Sequence, residues 1–169
     1  MKTKYLPEFF QKSWETEYEV FGIKFTNEVS IGFIERLESG YSFMSLKEFH
    51  ELKLTSKELL SRAIDNLRDS IIECELKIYK LSGGKVCFWN SENDNFTAVR
   101  ILLPEIQKIV KGKISENFNF SIPSRDIITC WKSESDSENL KFDKETKEDF
   151  NEEEYNLSKE IYEWENIDL

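Results

Sequence analysis

The chain is poor in the residues that mark several classes of protein. Its 169 residues include one histidine, three cysteines, six glycines and three prolines. No apolar run is long enough to cross a membrane as a helix, so we expect no membrane partner. The N-terminal sequence MKTKYLPEFFQKSWE has no apolar segment after its lysines, unlike a secretory signal. We therefore expect a single cytoplasmic domain over residues 1–169.

The cysteines and the histidine offer little for metal binding or catalysis. Cys74, Cys87 and Cys130 are an odd number without a Cys-x-x-Cys pair, which argues against a disulfide framework and against a zinc site. We expect them to be reduced and to pack as small apolar side chains in strands. His50 has no carboxylate motif beside it, and we interpret it as structural. No cofactor and no metal are implied.

Negative charge is concentrated at the C-terminal end of the sequence. The net charge is −10, and residues 133–169 account for all of it, with fourteen Asp and Glu against four Lys. Residues 1–132 hold nineteen residues of each sign. This distribution disfavours nucleic acid as a direct partner, because phosphate binding needs Lys and Arg to displace counterions. It favours a basic protein partner, or serves only solubility.

Aromatic residues four positions apart dominate the beginning of the chain. Phe10, Trp14 and Tyr18 would share one face of a helix, and Pro7 suits a first helical turn. We therefore predict a helix over residues 6–18.

Alternating and capping patterns follow this segment. Residues 19–26, and then the residues from Val29 onward, alternate between apolar and polar side chains, which predicts a short hairpin. Residues 34–39 fit either a continued strand or the start of a helix. Two Ser/Thr-x-x-Glu capping boxes predict where two later helices begin: Ser45 with Glu48, and Thr55 with Glu58.

The middle of the chain predicts two more hairpins with a helix between them. Residues 74–80 and 85–90 alternate around a Ser-Gly-Gly turn, and the polar loop at 91–95 precedes an apolar helical stripe that Pro104 interrupts. We predict a kink there, or two short helices. Residues 118–131, FNFSIPSRDIITCW, are the clearest hairpin, with a Pro-Ser-Arg-Asp turn. Together these patterns predict an α+β fold: a mostly antiparallel sheet built from hairpins and covered by three or four helices.

The acidic C-terminal segment, residues 133–169, also contains a helical pattern. The sequence SESDSE at 133–138 predicts a solvated linker. Glu154, three residues after Asn151, predicts the start of a last helix on which Leu157, Ile161 and Trp164 share one face. Its carboxylates would then point outward.

Three short motifs in residues 50–165 resemble one known family. They are Ala63, Asn66 and Leu67 in one helix, Leu102, Leu103 and Pro104 in another, and Ile122, Pro123, Ser124, Arg125 and Asp126 in a turn. With them the region resembles the bacterial YtpQ-like domain of unknown function. The resemblance implies a shared fold, while residues 1–45 differ from the N-terminal part usual in that family. The family has no established activity that the resemblance would imply here.

From the sequence we favour the hypothesis that the chain binds a protein and has no catalytic activity. One concrete form is an immunity protein or inhibitor that neutralises a basic toxin or another cationic partner. The candidate contacts are carboxylates with two aromatic anchors: Glu148, Asp149, Glu152, Glu153, Glu154, Glu160, Tyr162, Glu163 and Trp164. Arg125 and Asp126 either bind an anion or only form a turn. Two alternatives stay open: an enzyme using carboxylates or a cysteine, and a structural or regulatory interaction domain.

Overall fold

The computed structural model describes residues 4–71, 76–81, 85–90, 96–132 and 136–168. The chain divides into two compact units, Met1–Glu73 and Cys74–Leu169. Each unit contains an antiparallel sheet and helices, so the α+β class expected from the sequence is confirmed. The expectation of a single domain stays a prediction.

The first unit is built around one long strand. Its elements are β1 Leu6–Gln11, α1 Trp14–Glu17, β2 Ile23–Lys24, β3 Val29–Leu37, β4 Gly40–Phe43, α2 Leu46–Leu52 and α3 Ser56–Ile71. Strand β3 pairs antiparallel with β1, β2 and β4. The alternative left open for residues 34–39 is thereby settled, because the strand continues to Leu37.

The helix predicted over residues 6–18 is wrong for most of its length. Residues 6–11 form β1, paired with β3 from Leu6 opposite Ile34 to Gln11 opposite Val29, and only α1 is helical. Five of the six residues of β1 are buried. Phe9 stacks on Phe25 with ring centroids 4.6 Å apart, a contact that the strand provides and the local sequence does not reveal. Pairing with β3 thus outweighs the helical spacing of the aromatic residues. The strand predicted over residues 19–26 is likewise reduced to β2.

Two glycines make room for a buried aromatic ring. Phe10 is 1% exposed, and a Cβ atom on Gly32 of β3 would lie 2.9 Å from its ring and 2.9 Å from the ring of Phe43. A Cβ atom on Gly22 would lie 2.8 Å from the same Phe10 ring. Phe10 therefore fills the space that the two missing side chains leave.

Both capping boxes are confirmed. The Ser45 hydroxyl accepts a hydrogen bond from the Glu48 backbone N–H at 3.3 Å, while Glu48 accepts one from the Ser45 N–H at 2.7 Å. Thr55 and Glu58 form the same reciprocal pair at the start of α3. Lys53 ends α2 in a left-handed conformation (φ 53°), which turns the chain sharply into α3.

The second unit contains a five-stranded sheet and two longer helices. Its elements are β5 Leu76–Leu81, β6 Lys85–Asn90, a 3₁₀ helix Ala98–Leu102, α4 Pro104–Lys113, β7 Asn119–Ser124, β8 Ile127–Trp131, α5 Asp136–Glu152, β9 Ile161–Glu163 and a 3₁₀ helix Trp164–Asn166. The described strands run in the order β5-β6-β8-β7-β9, with every pair antiparallel.

The hairpins and the break predicted at Pro104 are confirmed in this unit. β5 pairs with β6 and β7 pairs with β8, and the 3₁₀ helix before Leu103 gives way to α4 at Pro104. Proline fits there because it is the first residue of α4, where a backbone N–H has no helical partner. The predicted turn at 82–84, the loop at 91–95 and Cys74 lie outside the described residues.

The last helix predicted from Asn151 is wrong. Helix α5 begins at Asp136, inside the predicted linker, and ends at Glu152, while residues 133–135 lie outside the described part of the chain. The residues expected to continue a helix run along β7 instead: the Leu157 N–H donates to Pro123 O at 2.8 Å, and β9 pairs with Asn119, Phe120 and Ser121. Hydrogen-bonding groups on the open side of β7 thus favour an extended partner.

Candidate functional site

The middle of α5, residues 141–148, neutralises much of its own charge. Three ion pairs at i, i+4 spacing join lysines and carboxylates along the helix: Lys141–Glu145 at 3.8 Å, Lys144–Glu148 at 3.5 Å and Lys147–Asp143 at 2.7 Å. Such pairs stabilise an exposed helix by a few tenths of a kcal/mol each. The charges in this part of the acidic segment therefore stabilise the helix itself.

Four carboxylates at or after the C-terminal end of α5 lack such partners. The last turn contains no basic residue. In the described part of the chain, Glu152, Glu153, Glu154 and Glu160 form no ion pair, and three of the four are exposed. The C-terminal end of a helix already carries partial negative charge, so carboxylates there oppose folding slightly. Their placement is not explained by helix stability.

The candidate residues fall into two groups in the structure. Glu148, Asp149 and Glu152 lie in the last two turns of α5, and Glu153 and Glu154 follow directly. The second group lies on or beside β9: Glu160, Tyr162, Glu163 and Trp164. Both elements contact the same strand, since α5 packs against β7 and β9 pairs with it.

The two expected aromatic anchors are packed on the sheet. The Trp164 ring stacks on Phe118 with centroids 5.2 Å apart, and the Tyr162 ring lies 5.5 Å from that of Phe120. The Tyr162 hydroxyl is also 2.6 Å from the Ser158 hydroxyl. Both rings are half-buried. They fasten the C-terminal segment to β7 and leave only part of each ring at the surface.

Arg125 and Asp126 lie at a junction of three segments. The Arg125 side chain is buried, with its guanidinium carbon 3.4 Å from the centroid of the Tyr155 ring and its Nε 3.5 Å from the Asp126 carboxylate. Its backbone N–H donates to Tyr155 O, and its carbonyl accepts from the Ala98 N–H at 2.9 Å. This geometry ties the β7–β8 turn to the helix before Leu103 and to the segment after α5. Arg125 and Asp126 therefore form the turn between β7 and β8, and anion binding by them stays a prediction.

Sequence reasoning missed Arg100, a fully buried cation. Arg100 is 1% exposed within the 3₁₀ helix Ala98–Leu102, in which every residue is buried. A guanidinium stays charged at any physiological pH, so its burial is a costly feature that the fold must compensate. One signal was present: Arg100 is the only charged residue in the run AVRILL.

A cleft of about 650 Å³ lies in the first unit. The N-terminal segment before β1, the α2–α3 connection and one face of α3 line it: Lys4, Tyr5, Leu52, Leu54, Leu59, Arg62, Ala63, Asp65 and Asn66. The Asn66 side chain donates to Tyr5 O at 2.8 Å, which holds the N-terminal segment against α3. The sequence did not reveal this cleft, because its walls come from two distant segments.

The groups considered for catalysis belong to different units of the chain. The thiol of Cys130 is fully buried in β8, whereas His50 is exposed on α2 of the other unit. Within the same residues, no three His, Cys, Asp or Glu side chains are grouped so that they could hold a metal ion. No described helix is both long enough and apolar enough to span a bilayer.

Comparison of the chain with protein-family models, with curated proteins and with solved structures finds no match.

Proposed function

We propose that this chain is a non-catalytic binding protein whose acidic C-terminal segment captures a basic protein. The contact residues are the carboxylates at the end of α5 and along β9, from Glu148 to Glu154 and at Glu160 and Glu163. A concrete form is a bacterial, cytoplasmic immunity protein or inhibitor that neutralises a basic toxin. The observation that carries the proposal is the set of carboxylates at the negative end of α5 without a basic residue in its last turn.

Binding explains these carboxylates better than folding does. Charges that merely keep a helix stable would alternate in sign, as the lysine-paired turns of α5 do. Unpaired carboxylates at a helix C-terminus cost a few tenths of a kcal/mol each. In return, a concentrated negative surface accelerates encounter with a cationic partner and rejects acidic ones.

A charge-neutralising triple variant tests the proposal. Glu152→Gln, Glu154→Gln and Glu160→Gln remove three exposed, unpaired charges without truncating any side chain. The matched control is Glu38→Gln, Glu51→Gln and Asp69→Asn, three exposed carboxylates of the first unit. Both variants change the net charge equally, so a general charge effect cancels.

Each protein is immobilised and exposed to extract of the source cell at low salt and at about 1 M salt, where the Debye length falls to about 3 Å. We expect the wild type and the control to retain the same basic protein at low salt only, and the triple variant to lose it. Equal retention by the two variants would contradict the assignment of the surface. If the wild type retains no basic protein at low salt, the function itself is contradicted.

The genomic neighbourhood provides a second test of the immunity form. A gene for a secreted basic toxin beside this one, whose product is harmless when the two are co-expressed, is the expected result. A toxin that stays lethal during co-expression with the wild-type chain would overturn the immunity form while leaving other basic partners open to the capture experiment.

The relationship to the YtpQ-like domain is also a proposal. What supports it is the structural role of the residues that carry the resemblance. Ala63, Leu67, Leu103 and Ile122 are at most 1% exposed, and Arg125 lies in the junction described above. Residues of this kind specify a fold, so the relationship would concern the fold and not an activity.

A further inference from the structure

The cleft of the first unit has an apolar floor and a basic rim. Leu59 and Ala63 are buried at its base, and Leu52 and Leu54 form the wall at the α2–α3 connection. On α3, Leu59, Arg62, Ala63 and Asn66 follow i, i+3, i+4 and i+7 spacing, so one helix face supplies both floor and rim. The volume of about 650 Å³ lies within the range of small-molecule pockets, roughly 300–1,000 Å³.

The charges at the rim favour an anion. Lys4 and Arg62 line the cleft and form no ion pair within 4 Å of any described residue. Arg62 also interacts electrostatically with Glu58, whose carboxylate is already held by the backbone N–H and the hydroxyl of Thr55. The carboxylate of Asp65 is occupied by Arg68 at 2.6 Å. A net positive rim is unusual in the first unit, where thirteen Asp and Glu outnumber ten Lys and Arg.

One further polar side chain, that of Tyr5, lines the cleft. Burial raises the pKa of Tyr5 above its ordinary value, and the carboxylates of Glu35 and Glu48 act in the same direction. Its hydroxyl therefore stays protonated and can donate a hydrogen bond. The N-terminus of α3 is not the anion site, because the Thr55–Glu58 box already occupies it.

We propose that this cleft binds a small amphipathic anion, an apolar chain ending in a carboxylate, with the chain over Leu59 and Ala63 and the carboxylate between Lys4 and Arg62. This proposal does not rest on the function proposed for the acidic C-terminal segment. Apolar contact provides most of the affinity, and the two cations select the charge of the head group.

Decanoate is the test ligand, and decyltrimethylammonium is its cationic counterpart with the same chain. Binding to the full chain is measured by isothermal titration, and by displacement of the fluorescent anion anilinonaphthalene sulfonate. We expect saturable binding of decanoate at one site and much weaker binding of the cation. Failure of decanoate to bind saturably, or equal binding of both ligands, would overturn the proposal.

Paired variants locate the site. Lys4→Gln with Arg62→Gln removes the rim charges, and Lys24→Gln with Lys57→Gln makes the same change at exposed lysines outside the cleft, the second of them also on α3. We expect the first pair to weaken decanoate binding about tenfold and the second to leave it unchanged. All four positions are exposed, so both variants should fold. Equal affinities in the two variants would place the ligand elsewhere and refute the assignment.

Discussion

Strands β1 and β9 make an instructive pair. Each lies at the edge of its sheet, each is followed by a short helical turn, and each occupies a segment in which large residues recur at helical spacing. They differ in burial. In β1 five of six residues are buried, whereas β9 is three residues long and half-exposed. An edge strand can therefore belong to the core or can close the open side of a sheet.

The difference sets what each strand contributes. β1 brings Phe9 and Phe10 into the core of the first unit, so its loss would remove buried apolar surface. β9 instead pairs with the hydrogen-bonding edge of β7. Glu163 at its end and Glu160 directly before it are exposed. Short, charged edge strands resist pairing with other chains. Variants on the two strands should differ accordingly.

The largest effect is expected for Phe10→Ala in β1. It removes a ring that is 1% exposed and leaves a cavity against Gly22 and Gly32, so we expect the free energy of unfolding to fall by about 3–5 kcal/mol. Chemical denaturation measures this change in the free energy of unfolding. Tyr18→Ala, at an aromatic residue that is 60% exposed, is the control and should cost far less. Similar losses for the two variants would mean that β1 is not part of the core.

Gly32→Ala tests the same packing from the opposite strand. The added methyl group would lie 2.9 Å from the rings of Phe10 and Phe43. We therefore expect overpacking to lower the free energy of unfolding by about 1–3 kcal/mol. Gly112→Ala in α4, where no atom lies within 4 Å of the added Cβ, should instead stabilise by about 0.5–1 kcal/mol. Combining Gly32→Ala with Phe43→Leu should recover part of the loss. A Gly32→Ala protein as stable as the wild type would contradict the close approach.

A smaller effect is expected at β9. Trp164→Ala removes the ring that stacks on Phe118 with centroids 5.2 Å apart. We expect the free energy of unfolding to fall by about 1–1.5 kcal/mol and the amides of residues 161–163 to exchange faster. Leu140→Ala, at a residue that is 70% exposed on α5, is the control. A loss as large as that of Phe10→Ala would show that β9 resembles β1 more than its exposure indicates.

The smallest effect on stability is expected at the capping boxes. Their contribution comes from neighbouring residues alone, in contrast to the strand pairing of β1 and β9. Hydrogen bonds from the Ser45 backbone and hydroxyl lower the pKa of Glu48, and Thr55 lowers that of Glu58 in the same way. A lowered pKa in the folded state gives stability that is present above the pKa of the unfolded chain and is lost as pH falls through the folded value. Stability of the wild type should therefore decline slightly more on acidification than that of Glu48→Gln, as denaturation at several acidic pH values would show. Identical pH profiles would contradict a contribution from the ionised cap.

The sequence predicted best where the signal is local. The capping boxes, the break at Pro104 and the Pro-Ser-Arg-Asp hairpin each act within a few residues, and all are confirmed. It also located the excess of negative charge in residues 133–169, because charge is additive along a chain. It could not locate the cleft or the burial of Arg100, since these depend on residues far apart in the chain.

By itself, the sequence determined the α+β class, the two capped helices of the first unit, the hairpin at residues 118–131 and the concentration of negative charge after Trp131. Only the tertiary structure decided that residues 6–11 and 161–163 are strands. The physical reason is the same in both places. Helical spacing of large residues is a weak local preference, and a neighbouring strand with open backbone hydrogen bonds outweighs it.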